Sequence, residues 1–403
     1  MSATHRADDL QRRYVNDIFA ELCSIASPSG HERACAQRVA AELSALGIEV
    51  SEDDTGSLTG SDSGNLLARI PPGEGGGAVD RKASMLLCAH LDTVPLQAPV
   101  EPVVNDGYWE NAGDGVLGAD NKAAVAVLLG LARHMHRAGA PLEIELLFTV
   151  GEERALAGAR AFDITRLRSR FGYAFDHASP IGEVVLSAPG HYRLEATFNG
   201  HAAHAGVCPE GGRSAILAAA RAIADMPLGR VDEQSTANVG TIAGGTAMNV
   251  VPDRCTVLAE VRSHQEARAE ELLGELIDCV HEAANLPECE CDVDVSVQRT
   301  FEAYRVAPGT PAVRAAERAL RTCGHEPVRI QSGGASDANA LGARGLPMVN
   351  LANGTEHNHE PRERVAVAAL GAMLDVALAL PDAAAAVLAP PQAASGVPAD
   401  LTL

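Results

Sequence analysis

His90 and Asp92 stand two apart in CAHLD (88–92), directly after an apolar run. On an extended strand, residues two apart share a face. A carboxylate beside an imidazole can fix its tautomer and leave the other ring nitrogen for a metal. Further clusters of the same kind follow along the chain. They are Asp120 in GADNK (118–122), the pair Glu152-Glu153, Asp176-His177, His201 and His204 in GHAAHAG (200–206), and His357 and His359 in HNHEP (357–361). Taken singly, each has a plainer use. Asp120 could cap a helix, Glu152-Glu153 would suit a first helical turn, and Asp176 a turn. His201 and His204 could equally be solvated loop histidines. Taken together they say more. Two histidines with three or four carboxylates suit a pair of divalent ions such as zinc, manganese or cobalt. Two such ions bring about +4, which Asp120, Glu153, Asp176 and a shared hydroxide would offset. Without cations those carboxylates would repel and raise one another's pKa values.

The elements that must position these groups alternate helix and strand. Residues 5–26 and 31–47 read as helices, 83–91 as a buried strand, and 120–137 as a long helix. Strands follow at 143–150 and 171–175. The clusters therefore fall at strand ends, where α/β sheets with helices on both faces bind their ligands. From about 190 the order changes to strand (191–199), helix (212–224), strands (237–242, 255–261), helix (266–284) and strand (291–298). That βαββαβ order is ferredoxin-like. The α/β pattern then resumes, so the middle segment is expected as an insertion. The expected division is a discontinuous catalytic domain, 1–188 with 301–383, a second domain at 189–300, and a flexible Ala/Pro-rich tail at 384–403. The GEGGG stretch at 73–77 reads as a surface loop.

Composition excludes several functions. With 32 Lys+Arg against 53 Asp+Glu, the formal charge is −21, so a nucleic acid or anionic membrane is not the expected partner. Aromatic residues are only 3%, too few for base-stacking platforms. The N-terminal MSATHRADDLQRR lacks an apolar signal core, and the 9 cysteines are odd in number and scattered. Both features fit a reducing cytoplasm. Cys289 and Cys291 read as two thiols on one strand face, since no second CxC or CxxC completes a metal site. The apolar run 365–380 contains Asp375 and reads as a buried C-terminal helix. No G-x-S-x-G occurs, and GVLGADNK lacks the Gly-Lys-Ser/Thr ending of a phosphate loop.

The ordered motifs LLCAHLDTVP, GVLGADNKAA, FTVGEERALAGA, YAFDHASPIG, GHAAHAGVCPEGGRSAI, GGTAMNVVPDR and GTEHNHEPRE resemble the co-catalytic di-zinc peptidase superfamily over residues 12–381. That group includes peptidase T, glutamate carboxypeptidases, aminoacylases and succinyl-diaminopimelate desuccinylase. The segment FDHASPIGEVVLSAP is most similar to the peptidase T-like branch. The resemblance implies a zinc-exopeptidase-like three-layer domain with a ferredoxin-like lid, the lid also being the dimer surface in dimeric relatives. It implies that His90, Asp120 and Asp176 hold one metal, and that Asp120 bridges to a second completed by Glu153 and His359. Asp92 would support His90, Glu152 would act as general base and then acid, and His204 would reach the scissile carbonyl from the lid. Asn249, Ser332, Gly333, Gly334 and Asp337 would line the substrate site. The chain departs from the family where a Ser or Thr usually follows the final histidine: here it is Glu360, with an extra His357 upstream. The distance to Glu363 selects His359 over His357. The implied reaction is amide hydrolysis of short peptides, tri- or dipeptides, through a water shared by two divalent ions, most simply Zn²⁺ (or Mn²⁺ or Co²⁺). The alternatives are an N-acyl-amino-acid deacylase, a carboxypeptidase, or a metal-binding protein without turnover. That last would be expected to show damage at Glu152 or the ligands, and every position is intact.

Overall fold

The computed structural model of the chain describes residues 6–73 and 83–389. The expected surface loop at 73–77 lies, apart from Gly73, outside the described residues. The chain separates into two compact units. One comprises the described residues up to Leu186, Val306–Ile330, and those from Ser336 on; the other is Ser187–Arg305 with Gln331–Ala335.

The first unit is built on a mixed sheet. Its strands run in the order Val50–Glu52, Leu66–Ile70, Glu143–Thr149, Ser84–His90, Gly172–His177, Met348–Ala352, Glu183–Ala188. The central members, from Glu143–Thr149 to Met348–Ala352, are parallel to one another; the flanking strands pair with them antiparallel. Every residue of Ser84–His90 is buried, which explains its continuous apolar sequence. Helix Ala119–Ala138 packs on this sheet and carries helices Asp9–Ser24 and Val367–Leu388 against itself. The first of these begins in a capping box between Asp8 and Gln11 and buries Val15, Ile18, Phe19 and Leu22 along one stripe. Close approach of the helices requires Gly130, where a Cβ would lie 2.6 Å from Val15 Cγ2. Asp375 accepts from Arg12 Nη2 at 2.7 Å and from the Ala7 amide at 2.7 Å, so the charge inside the C-terminal helix is paired. That helix runs through Pro381 to Leu388, into the segment expected as tail; residues 390–403 lie outside the described residues. It is long and apolar enough to cross a membrane, and 72% of its most apolar window is buried within the fold.

A second, smaller sheet in this unit was not legible in the sequence. It orders Thr355–Glu356, Arg364–Ala366, Tyr108–Asn111 and Pro102–Asn105. The HNHEP motif is therefore the loop of an antiparallel hairpin.

The other unit has an antiparallel sheet in the order Gly229–Asp232, Ser235–Gly244, Arg254–Ser263, Gly190–Asn199, Asp292–Phe301. Without its short first strand, this is the ferredoxin-like order, with the first strand of the motif in the interior. Arg254–Ser263 alternates buried and less buried residues along its length, and helices Ala215–Asp225 and Glu266–Ala284 cover the buried face. Leu194, Phe198, Val257, Val261, Leu272 and Leu276 form its core. The cysteine reading needs correction. The strand begins at Asp292, and Cys289 and Cys291 enter the core from the preceding turn, where Glu290 has φ 40°. Both are free thiols.

Candidate metal centre

The parallel strands deliver the chemistry at their carboxyl ends, as expected of an α/β sheet. His90 is the last residue of its strand and lies opposite Thr149 in the neighbouring one. Asp176 lies near the end of Gly172–His177, with its amide donating to Asn350 Oδ1 and its carbonyl accepting from Asn350 Nδ2. Glu152 and Glu153 follow Thr149 through a turn at Gly151, whose φ is +62°. Asp120 sits where the long helix is entered from Gly118 (φ +76°), a position where a Cβ would also crowd Thr93 Cγ2 at 3.1 Å. Asp120 does not cap that helix. Asp120 and Asn121 have non-helical torsions, joined by a cis peptide, and the Asp120 carboxylate turns to the histidines instead.

Asp120 Oδ1 is 3.2 Å from His90 Nε2, and Oδ2 is 3.3 Å from His359 Nε2. His90 Nε2 also lies 3.6 Å from Asp176 Oδ1, and His359 Nε2 lies 2.8 Å from Glu153 Oε1. One trio is thus His90, Asp120 and Asp176; a second is Asp120, Glu153 and His359; Glu152 joins His90 and Glu153 in a third. A tetrahedral ion with N/O ligands at about 2.0–2.1 Å separates its ligand atoms by about 3.3 Å. The donor set fits such ions in type and spacing. Asp120, with one oxygen in each of two trios, is placed to be shared.

Electrostatics points the same way. Burial would push the His90 imidazole down, but Asp176, Asp120 and Asp92 hold it well above its usual range. Burial raises Asp176 to about 8, with Asp120 and Asp337 adding to the rise against the pull of His90. Glu152 is raised by burial and by Asp176, Asp337 and Glu153. Asp120 would also rise on burial, but His359 and His90 hold it below the carboxylate range. Hydrogen bonds to Asp120 and Glu153 raise His359 to about 10. This crowd of buried carboxylates calls for cations.

The supporting groups differ in part from expectation. Asp92 faces His90 less through its carboxylate (Oδ1 3.4 Å from Nδ1) than through its carbonyl, 3.0 Å away. The strand has already ended at His90, so the two-residue alternation does not reach Asp92. Its carboxylate instead accepts from the Glu152 amide at 2.9 Å, the Glu153 amide at 3.1 Å and Ser29 Oγ at 2.6 Å. HNHEP is loop rather than strand. His357 and His359 both adopt left-handed torsions, φ 58° and 67°, and of the two His359 faces Asp120 and Glu153 while His357 lies 3.9 Å from Glu360. Between them, Asn358 Nδ2 donates to Asp120 Oδ2 at 2.8 Å. Asp337, assigned by resemblance to the substrate site, is only 2% exposed and takes a hydrogen bond from the Thr149 hydroxyl. Glu363, used above only to choose between the histidines, holds the Asp120 loop through its carboxylate, and Asn358 was not expected as a supporting residue. Their only signal in the sequence is proximity to HNHEP.

His204, Asn249, Ser332, Gly333 and Gly334 belong to the second unit. There the strand Ala203–His204 pairs with Val250–Val251, and the Asn249 carbonyl accepts from the Ala205 amide at 2.9 Å, so His204 and Asn249 are neighbours. The Gly206 amide donates to His204 Nδ1 at 3.2 Å. His201 bridges to Arg213. Ser332 Oγ accepts from the Gly334 amide at 3.1 Å.

An α/β sheet with clustered histidines and carboxylates at its strand ends, and a ferredoxin-like second unit, defines a metal-dependent hydrolase. Residues 186–285 match the family model of the peptidase dimerisation domain, and residues 65–204 that of peptidase family M28. The chain is 36% identical to aminopeptidase PepT from Bacillus cereus, covering 93% of this chain and 99% of that one with a TM-score of 0.83. It is 31% identical to a tripeptidase from Staphylococcus aureus, with a TM-score of 0.87 over 93% and 99% of the two chains. An uncharacterized Bacillus subtilis protein, YqjE, shares 35% identity over 91% of this chain and 97% of its own. The chain belongs to the peptidase T-like branch of the co-catalytic di-zinc peptidase superfamily, and it is a metallopeptidase.

Proposed function

We propose that the enzyme is a cytoplasmic aminopeptidase that releases the first residue of tripeptides, with dipeptides as secondary substrates, using two zinc ions. The observation that carries this reading is the division of the Asp120 oxygens between His90 and His359. That geometry supports one ion held by His90, Asp120 and Asp176 and another by Asp120, Glu153 and His359. Divalent ions held by these residues would supply the acidity for a water and the polarisation of the scissile carbonyl. Glu152 is the base: its carboxylate takes a proton from the attacking water and returns it to the leaving nitrogen. Its burial, and the carboxylates that raise it, favour holding that proton between the two steps. Asp92 fixes the main chain of Glu152 and Glu153 while its carbonyl orients the His90 ring.

The substrate class rests on the two relatives, one described as an aminopeptidase and the other as a tripeptidase. The inserted unit is proposed as lid and as homodimer surface, in keeping with its match to the peptidase dimerisation domain. From it His204 would stabilise the developing oxyanion. With Nδ1 accepting from Gly206, the neutral ring carries its proton on Nε2 and can donate it. Asn249 and the Ser332–Gly334 loop are proposed to contact the peptide.

The deciding experiment strips the enzyme of metal and reconstitutes it with Zn²⁺, Mn²⁺ or Co²⁺. Each form is assayed on tripeptides, dipeptides, C-terminally blocked peptides and N-acyl amino acids. Cleavage of free tripeptides at the amino end is expected, restored only with metal. Preference for N-acyl amino acids, or release from the carboxyl end, would overturn it.

A further inference from the structure

Asp337 is a buried carboxylate with no place in the ligand set or the proton transfer. It opens the short helix Asp337–Ala343, and its side chain reaches the ends of two neighbouring parallel strands. Its Oδ2 accepts from the Thr149 hydroxyl and lies 3.8 Å from Cys88 Sγ, while its Oδ1 is buried with no hydrogen-bond partner. Thr149 is the last residue of its strand and the register partner of His90; Cys88 stands two residues before His90 on the same strand. Glu152 and Glu153 follow Thr149 after two intervening residues.

We infer that Asp337 is a positioning residue that staples the His90 strand to the Glu152-Glu153 strand from behind, fixing the distance between ligand and base. This rests on the proposed metal centre. The strand pair already has its main-chain ladder, continued by the Leu91 amide to the Thr149 carbonyl at 2.8 Å, so the fold does not need this contact to pair the strands. What the carboxylate adds is a side-chain restraint at the last residue before the catalytic turns. A neutral amide would satisfy the Thr149 hydroxyl without leaving a charged oxygen unpaired in a dry interior. Outer partners of metal ligands act through such restraints, and their loss costs roughly 10- to 100-fold in metal affinity or activity.

The test compares Thr149→Val, Thr149→Ser and Asp337→Asn with the wild type. Metal affinity is read by Co²⁺ absorption titration, and kcat and KM on the tripeptide the wild type cleaves. Thr149→Val removes the hydroxyl at constant shape and is expected to weaken Co²⁺ binding and lower kcat, each roughly 10-fold or more, with KM little changed. Thr149→Ser should recover most of that loss, and Asp337→Asn, whose amide oxygen can still accept from the Thr149 hydroxyl, should stay close to the wild type. If Thr149→Val and Thr149→Ser titrate and turn over alike, Asp337 is not a positioning residue; this pair decides the matter even if Asp337→Asn does not fold. A wild-type protein that takes up no Co²⁺ would instead sink the metal-centre reading itself.

Discussion

Glu363 Oε1 accepts the main-chain amide of Asp120 at 2.8 Å across 243 residues of chain, and its Oε2 takes the amide of Gly118 at 2.7 Å. The residue is 2% exposed. Burial pushes its pKa up to about 7, against the amide bonds that favour the carboxylate. Its work is to hold the Asp120 loop so that the carboxylate meets both histidines. Glu363→Ala should therefore lower metal affinity roughly 10- to 100-fold. Elemental analysis after dialysis against graded chelator checks this, and unchanged retention of both ions would count against it.

Glu152 has a carboxylate oxygen within 4.8 Å of candidate ligand atoms of His90 and Glu153 but is proposed only to move protons. Glu152→Gln keeps the shape and removes the base. It should bind metal as the wild type does and lose on the order of 10²- to 10⁴-fold in kcat. Near-normal turnover, or metal loss, would refute the assignment.

The hairpin loop offers two histidines of opposite fate. His359→Ala should lose one of the two ions and most activity, whereas His357→Ala should keep full metal content. Isothermal titration with Zn²⁺ on the stripped variants separates the two. Equal stoichiometries would show that the Glu153–His359 contact is not a binding site.

In the ferredoxin-like unit, His191 Nε2 lies 2.9 Å from Glu260 Oε2 and Arg262 Nε lies 3.1 Å from its Oε1. These bonds lower Glu260 from its ordinary 4.5 to about 2. A depressed carboxylate stabilises the fold fully above its unfolded pKa and loses that contribution as pH falls through the folded one. The wild type should therefore exceed Glu260→Gln in stability by the widest margin above about pH 4.5, with the gap closing toward pH 2. Urea melts across this range test it; a gap independent of pH would mean that Glu260 does not titrate between the two states.

The chemistry of this protein was legible in its sequence wherever it depended on residue type at a strand end. A continuous apolar run can be read as a buried parallel strand, and the polar residues that follow it as its cargo; this singled out His90, Glu152, Glu153 and Asp176, whereas Asp120 stands at the entry to helix Ala119–Ala138. The alternation of polar and apolar residues likewise exposed the strands of the inserted unit. Local pattern failed where backbone torsion or long-range contact took over. The hairpin strands Thr355–Glu356 and Arg364–Ala366 are too short for a period to show. The Asp92 carboxylate points away from strand alternation because the strand has already ended.

The sequence by itself determined which side chains are available for metal and proton chemistry, and which of them follow buried strands along the chain. Only the tertiary structure decided how they are used. It turned His359 rather than His357 toward Asp120, set Glu363 beneath the Asp120 loop, and buried Asp337 behind Thr149. Each of these contacts joins residues 180 or more apart in the chain. Their partners are chosen by the register of packed strands and the torsions of one hairpin loop, and neither leaves a periodic trace in the local sequence.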